Sequence, residues 1–280
     1  MIPRLELPAT RAVLVLMALA LALPGLIGHD PWKSFDAIAI EIVHQMQRTG
    51  DWLVPRIAGE PWIEDPPFYH WTGLAFAMAF GWALPLHGAV RLASGFFVLA
   101  ALWLIYLAAR HWSPVAERRA TAGAATLVLA GSIGLIVHAH EAVPDLAALA
   151  ATCAAFVFLS RAERRPLGAG IGFGASLGVA FLSAGPVAPV ALGAAALASC
   201  VACAALRTRR VWPFLGTTLV AGAIVAGSWP LVLALRAPEL AAQWWSASMQ
   251  PRGTFPGNLR YYVVTASWFA WPAWPLALWA

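Results

Sequence analysis

Long apolar segments separated by short polar stretches run through most of this chain. Several of these segments reach the roughly 20 residues that a helix needs to cross a bilayer. We therefore expect about eight membrane-spanning helices, arranged as an all-α polytopic transmembrane helix bundle. The predicted spans cover residues 11–29, 90–111, 120–139, 143–160, 167–184, 186–206, 211–232 and 262–280.

The two ends of the pattern carry their own interpretations. Ala20-Leu21-Ala22 resembles a signal-peptide cleavage site, but the apolar run continues to Ile27, which favours a spanning helix. The last segment reaches Ala280 without a flanking charge. We therefore expect residues 1–280 to be a single transmembrane domain and the front part of a longer protein.

Residues 30–89 form the first loop between spans and show a different pattern. Apolar residues recur there at helical spacing, which predicts an amphipathic interfacial helix that Ser34 caps and Gly50 ends. These residues are Phe35, Ile38, Ala39, Ile42 and Met46. Pro67 suits the first turn of a second helix over 68–86, lying in the interface or dipping into the membrane. The first helix either only shields the bundle, which is the favoured interpretation, or holds Asp36 near a substrate.

Composition supports a membrane protein and excludes a nucleic-acid partner. The chain is 61% hydrophobic and 11% charged, whereas soluble domains carry about 25% charged residues. Its formal net charge is +5. The basic residues lie at the ends of apolar runs, as orientation signals do, and form no continuous basic face.

The distribution of charge predicts the orientation of the bundle. If the spans alternate, 11 of the 18 basic residues share one side, which the positive-inside rule assigns to the cytoplasm together with the N-terminus. They are Arg4, Arg11, Arg110, Arg118, Arg119, Arg161, Arg164, Arg165, Arg207, Arg209 and Arg210. Ten of the 13 acids then lie on the outer side. They are Asp30, Asp36, Glu41, Asp51, Glu60, Glu64, Asp65, Glu141, Asp145 and Glu239.

Two short patterns could bind a metal. Cys200-x-x-Cys203 has neither a second pair nor a nearby histidine, so small apolar helix residues are the favoured interpretation; Cys153 also lies in an apolar segment. His138-x-His140, followed by Glu141, could bind a divalent metal only in a non-helical turn. Ordinary interfacial polar residues are favoured, and the metal stays an open alternative.

The spans at 120–137, 167–186 and 187–206 contain no ionisable side chain other than cysteine. Ion-coupled transporters need such groups near the midplane of the membrane. Because the acids gather at one surface, the pattern favours chemistry at the outer face over transport.

Several motifs, taken in order, resemble the GT-C membrane glycosyltransferases, specifically the aminoarabinose transferases that modify lipid A and the protein-mannosyltransferase-like enzymes. The resemblance covers nearly the whole chain, and the order of the motifs carries it. The motifs are Asp30-Pro31-Trp32-Lys33, Gly50-Asp51-Trp52, Pro55-Arg56, Glu64-x-Pro66-Pro67, Phe68-Tyr69-x-Trp71, Arg91-Leu92-x-Ser94 and Pro144-Asp145-Leu146-Ala147.

The resemblance implies that a sugar leaves a polyprenyl-phosphate carrier and joins a lipid or protein acceptor at the periplasmic face of the inner membrane. Such a reaction needs a carboxylate base, cations for the departing phosphate and a lipid-facing groove. The implied catalytic residues are Asp36, Glu64 and Asp145. The implied substrate-binding residues are Lys33, Arg56, Asp65, Tyr69 and Arg91. Membrane lipids are expected partners, and no cofactor is expected apart from the divalent metal left open above.

Three positions depart from the family pattern. Phe35 replaces the expected first acid, and Asp65 and Ala184 each replace an expected lysine. These losses motivate a second hypothesis, a polyprenyl-lipid binder or flippase that does not catalyse. A transporter is the third and least favoured hypothesis.

Overall fold

The computed structural model describes residues 11–202, 209, 211–249 and 257–279, and within them the chain is almost entirely helical. The helices are α1 (Arg11–Ala22), α2 (Ser34–Thr49), α3 (Phe68–Phe80), α4 (Leu86–Trp112), α5 (Arg118–Ala130), α6 (Ile133–His138), α7 (Asp145–Leu159), α8 (Pro166–Ala184), α9 (Val187–Ala202), α10 (Val211–Arg236), α11 (Pro238–Met249), α12 (Gly257–Phe269) and α13 (Ala273–Trp279). Arg4, Cys203, Arg207 and Arg210, which entered the sequence predictions, lie outside the described residues.

Three helices of the described chain, α4, α8 and α10, are long and apolar enough to cross a membrane. The shorter α7, α9 and residues 12–22 of α1 are also apolar. A membrane-type helical bundle is therefore confirmed, while the count of about eight spans stays a prediction.

Three predicted spans differ from the helices observed. The first helix ends at Ala22 and not at residue 29, and Gly25 and Gly28 follow it with φ of 89° and 99°. The segment 120–139 is divided between α5 and α6 at Gly131-Ser132, and 262–280 is divided between α12 and α13. Glycines at positive φ end a helix readily, which accounts for the first of these differences.

The first loop between spans, residues 30–89, contains the predicted helix, with one correction at its start. Ser34 is the first helical residue and does not cap the helix, because Lys33 occupies the N-cap position without a side-chain hydrogen bond. Gly50 ends α2 as predicted: its φ is 70°, and its N–H donates to the carbonyl of Met46. The second helix, α3, begins at Phe68 directly after Pro67, but it ends at Phe80 and not at residue 86.

A short hairpin between these helices was not predicted, so the loop is not wholly α-helical. Strands β1 (Arg56–Ile57) and β2 (Glu60–Pro61) pair antiparallel, with Arg56 opposite Pro61 and Ile57 opposite Glu60. Ala58 and Gly59 form the turn with φ of 51° and 89°. Two successive positive-φ residues are typical of the turns that match strand twist.

Two packing centres position the loop on the bundle. One apolar core joins α2 and α3 to α4, α6 and α7. A second core joins Val54 of the loop to α8, α10 and α11. The indole N–H of Trp229 on α10 donates to the carbonyl of Leu53 (2.8 Å), so α10 also holds the loop of residues 30–89. The loop is thereby fixed at one end of the bundle.

Candidate functional site

The centre of the site is a buried ion pair between Asp36 on α2 and Arg91 on α4. Asp36 is 2% exposed and Arg91 is 0% exposed. Arg91 Nη2 lies 2.5 Å from Asp36 Oδ2, and Nε donates to Oδ1 at 3.1 Å. This two-point arrangement is the geometry that a guanidinium fork offers a carboxylate. The structure therefore brings together two residues predicted for the site, one acid and one cation.

Backbone groups from two further segments complete this pair. The N–H of Ala142, in the segment before α7, donates to Asp36 Oδ1 at 2.8 Å. Arg91 Nη1 donates to the carbonyl of His29, between α1 and α2, at 2.8 Å. A buried charge is tolerated when it is paired and hydrogen-bonded in this way. The pair thus ties together four parts of the chain and has both Asp36 oxygens engaged.

The burial of Asp36 comes from the register of α2. The buried positions of this helix are Asp36, Ala39, Ile40, Ile42, Val43 and Met46. Phe35, one of the apolar residues at helical spacing, is 70% exposed and does not share this buried face. Pairing with Arg91 turns the polar Asp36 inward and leaves its apolar neighbour outward.

A hydrogen-bond relay lies beside the pair. Tyr69 is fully buried, and its hydroxyl lies 2.6 Å from Ser94 Oγ on α4. Ser94 donates in turn to the carbonyl of Glu141 at 2.7 Å, so the single hydroxyl proton of Tyr69 must point to Ser94. Burial raises the pKa of Tyr69, which keeps it a donor. The relay links α3, α4 and the segment before α7.

The carboxylate of Glu141 is bound by two basic side chains at the edge of the site. Lys33 Nζ contacts Glu141 Oε1, and His138 Nδ1 lies 3.2 Å from Oε2. The Lys33 side chain is 30% exposed, whereas the Glu141 side chain is 11% exposed. Lys33 also carries a contact with the Trp32 ring, whose centroid lies 5.1 Å from Nζ. An ammonium group is therefore held at the surface beside Glu141.

Arg56 belongs to a separate local arrangement in the hairpin. Its Nη1 donates to the carbonyl of Gly59 at 3.1 Å, and its Nε lies 3.6 Å from Asp51 Oδ2. Asp51 Oδ1 accepts the N–H groups of Leu53 and Val54 at 3.1 and 3.2 Å. The Gly50-Asp51-Trp52 motif is thus a side-chain-stabilised turn that presents Arg56. No contact between Arg56 and the Asp36–Arg91 pair is found in the described chain.

The other predicted acids do not join the buried pair. Glu64 is exposed just before α3, Asp65 beside it is half-buried, and Asp145 is the exposed first residue of α7. Asp145 follows Ala142 closely in sequence, so their Cα atoms lie within about 11 Å. Among the described residues, neither the Glu64 nor the Asp145 carboxylate has a hydrogen-bond or ion-pair partner.

The two histidines near Glu141 contact different groups and do not face a common point where a metal could bind. His138 faces Glu141, while His140 Nε2 lies 2.6 Å from the carbonyl of Leu21. No group of three or more histidine, cysteine, aspartate or glutamate side chains is arranged for a metal within the described ranges. Cys200 is half-buried in α9, and its proposed partner Cys203 is outside those ranges.

Two titrating groups flank the site in the loop of residues 30–89. A hydrogen bond from Gln45 lowers the pKa of Glu41 on α2, with His44 adding to the effect. His70 on α3 is 2% exposed, and burial lowers its pKa to about 4. Within the described chain its Nδ1 has no hydrogen-bond partner. His70 is therefore neutral at ordinary pH.

Three contributors to the site were missed from the sequence. Glu141 was recognised only as an outer acid near two histidines, and Ser94 only as part of a motif. The backbone N–H of Ala142 leaves no sequence signal, because any residue except proline supplies one.

The fold and the site define a class of protein. It is a helical membrane protein with acidic and basic side chains clustered at one end of its bundle, around a buried carboxylate–guanidinium pair. Residues 64–229 match the family described as dolichyl-phosphate-mannose-protein mannosyltransferase, and the chain belongs to that family. The resemblance inferred from the motifs is confirmed at the level of the family.

Individual relatives agree with this assignment. The chain is 29% identical over 215 residues to undecaprenyl phosphate-alpha-4-amino-4-deoxy-L-arabinose arabinosyl transferase 1 of Proteus mirabilis (strain HI4320). The match covers 74% of this chain and 37% of that protein. This chain is thus much shorter than that relative.

Solved structures of ArnT from Cupriavidus metallidurans share the fold at 22% sequence identity. The structure bound to undecaprenyl phosphate has a TM-score of 0.72 and covers 85% of this chain and 44% of that protein. The apo structure has a TM-score of 0.73, with 92% and 48% covered. The chain thus spans less than half of the length of ArnT and has its multi-pass membrane fold.

Proposed function

We propose that this chain forms the membrane part of a glycosyltransferase that moves a sugar from a polyprenyl-phosphate carrier to a lipid or protein acceptor. The family match over residues 64–229 carries this proposal. The fold shared with ArnT, one structure of which binds undecaprenyl phosphate, supports the choice of carrier. The enzyme works in the inner membrane with its N-terminus in the cytoplasm and its active face toward the periplasm.

The predicted catalytic acids divide into two roles. A base must reach the acceptor hydroxyl, and the exposed Glu64 and Asp145 carboxylates are free to do so. Asp36 was predicted as a third catalytic acid, but both of its oxygens are engaged by Arg91 and Ala142. We therefore assign Asp36 and Arg91 to positioning the segments that carry the accessible acids.

The leaving phosphate requires cations at the same face. Lys33 is partly exposed and Arg56 lies on the hairpin with a loose contact to Asp51. Both can exchange a carboxylate partner for a phosphate without moving the backbone. Tyr69, predicted for substrate binding, and Arg91 act from within the protein by holding α3 and α4 in place.

The proposal is tested by sugar transfer from a polyprenyl-phosphate donor with the full-length protein in detergent or vesicles. We expect Asp145→Asn or Glu64→Gln to lower kcat about 100-fold or more if that residue is the base. Glu60→Gln is the matched control, because Glu60 is an exposed acid of the same loop. Unchanged transfer in both variants contradicts the assignment of the base.

The presence of Phe35 where the family has its first acid favours a second candidate, a polyprenyl-lipid binder that does not catalyse. Phe35 stands where the family has its first acid, and it is 70% exposed at the start of α2. An acid can therefore be restored there without disturbing the core. This second function predicts that the parent chain binds the carrier but does not transfer sugar. Phe35→Asp should then gain transfer, and Phe35→Asn should not.

A further inference from the structure

The end of the bundle opposite the Asp36–Arg91 pair contains a second concentration of charge. Arg91 and Arg110 lie near opposite ends of α4. The helical rise of 1.5 Å per residue separates them by roughly 28 Å, which is close to the thickness of the hydrocarbon layer of a bilayer. The arginines around Arg110 therefore lie at the membrane surface opposite the proposed active face.

These arginines line a cavity of about 910 Å³. Arg110, Arg118, Arg161 and Arg164 contribute to its walls, together with His111. A neighbouring cavity of about 580 Å³ shares His111, Arg161 and Arg164 and adds Arg165. Among the described residues, Glu163 is the one acidic side chain in either lining. The excess of guanidinium groups gives the lining of the combined space a net positive charge.

Local contacts hold part of this cluster in place. Arg118 Nε donates to the carbonyl of Ser113 at 3.4 Å, and the Arg161 guanidinium lies 6.0 Å from the centre of the Phe158 ring. His111 Nδ1 lies 2.6 Å from the carbonyl of Leu107, one turn earlier on α4. These contacts orient the side chains around the cavity.

An apolar groove begins at the same arginine. The groove has a volume of about 290 Å³ and is lined by α1, α4 and α5, including Ala18, Leu102 and Trp103. Arg110 lines both this groove and the basic cavity. Along α4 the groove extends from Arg110 to Leu99, roughly 16 Å toward the middle of the membrane.

We propose that these spaces together bind an anionic phospholipid, with its phosphate among the arginines and one acyl chain in the groove. Arginine is the side chain best suited to phosphate, and basic pockets between transmembrane helices recognise lipid headgroups. A soluble anion would leave the apolar groove that starts at Arg110 empty, whereas the acyl chain of a lipid fills it. The lipid would bridge α1, α4 and α5 to the 160–165 loop, far from the site of sugar transfer.

Native mass spectrometry of the delipidated full-length protein in detergent tests the proposal. Phosphatidylglycerol should bind and phosphatidylcholine of the same chain length should bind far more weakly. We expect Arg110→Gln and Arg164→Gln each to lower phosphatidylglycerol affinity about fivefold, the effect of one arginine near a lipid phosphate. Arg119→Gln is the matched control, because Arg119 is exposed next to Arg118 but lines neither cavity. An equal loss in the control would show general surface attraction and overturn the site.

Competition distinguishes the possible sources of the phosphate. Glycerol phosphate and inorganic phosphate should not displace the lipid, and Ala18→Phe, which fills the groove, should weaken phosphatidylglycerol binding while Arg119→Gln does not. Displacement by glycerol phosphate, or unchanged binding in Ala18→Phe, would overturn a lipid occupant. If polyprenyl phosphate displaces bound phosphatidylglycerol at a lower concentration than phosphatidylglycerol itself requires, the occupant is the carrier lipid and the proposal is overturned.

Discussion

At the scale of single residues, the Asp36–Arg91 pair couples stability to the geometry of the site. Each partner is buried, and each also binds a backbone group of another segment. Its contribution is therefore to the arrangement of α2, α4 and the segment before α7. Removing one partner leaves the other as an unpaired buried charge.

We predict that Asp36→Ala destabilises the protein by about 3–5 kcal/mol, since breaking a buried pair costs that much. The double variant Asp36→Leu with Arg91→Met should recover a large part of the loss, because no charge is then left unpaired. The apparent midpoint of thermal unfolding in detergent measures both. Equal losses in the single and double variants would show that the charges do not depend on each other.

His70 makes stability depend on pH. Its pKa is lowered from 6.5 to about 4 by burial, so between these values the unfolded chain binds a proton that the folded chain does not. Stability attributable to His70 is therefore complete above pH 6.5 and falls as the pH drops toward 4.

We predict that lowering the pH from 7 to 5 costs the parent protein about 2 kcal/mol through this one group. His70→Phe should remove that part of the loss, because no titrating group remains at the position. Unfolding midpoints at the two pH values, measured for both proteins, check the difference. The same pH dependence in the variant would assign the effect to another group.

At the scale of elements, the closest helix packing depends on three glycines of α8. A Cβ added at Gly174 would lie 2.3 Å from the carbonyl oxygen of Thr218 on α10, and one at Gly178 would lie 2.5 Å from Val225 Cβ. A Cβ at Gly170 would meet Thr217 Oγ1 at 2.0 Å. Small residues four positions apart allow membrane helices to approach closely.

Gly174→Val should separate α8 from α10 and lower the unfolding midpoint strongly, because the obstructing atom belongs to the backbone and cannot rotate away. Gly193→Val on α9 is the matched control, since nothing lies within 4 Å of a Cβ there. Both variants have the same change in helix propensity. Comparable losses in the two would show that propensity, and not packing against α10, is responsible.

At the scale of the whole molecule, the predicted orientation is open to a direct test. The hairpin with the exposed Glu60 lies in the loop that is predicted to face outward, and Val115 lies exposed in the loop after α4. On a background without the native cysteines, Glu60→Cys should react with a membrane-impermeant maleimide added to intact cells. Val115→Cys should react only after the membrane is opened, and the reverse result would invert the topology.

Sequence alone could predict the elements that depend on local order. Apolar length specified α4, α8 and α10 to within a few residues, and Gly50 specified the end of α2 because the left-handed conformation suits glycine. The prediction that the acids and the arginines lie on opposite sides of the membrane likewise uses no contacts, since it follows from hydropathy and charge. The family motifs are also local, so they led to the right family.

Tertiary structure decided which side chains of the site are buried and which are open. Phe35 and Asp36 are adjacent, and only the partner across the bundle, Arg91, turns the acid inward and leaves the aromatic ring outside. The contributions of Glu141 and the Ala142 N–H depend on contacts between residues distant in sequence. The periodicity of a sequence reports only the residues of the helix itself. The free energy of burying a charge depends on the groups that pack against it from other parts of the chain.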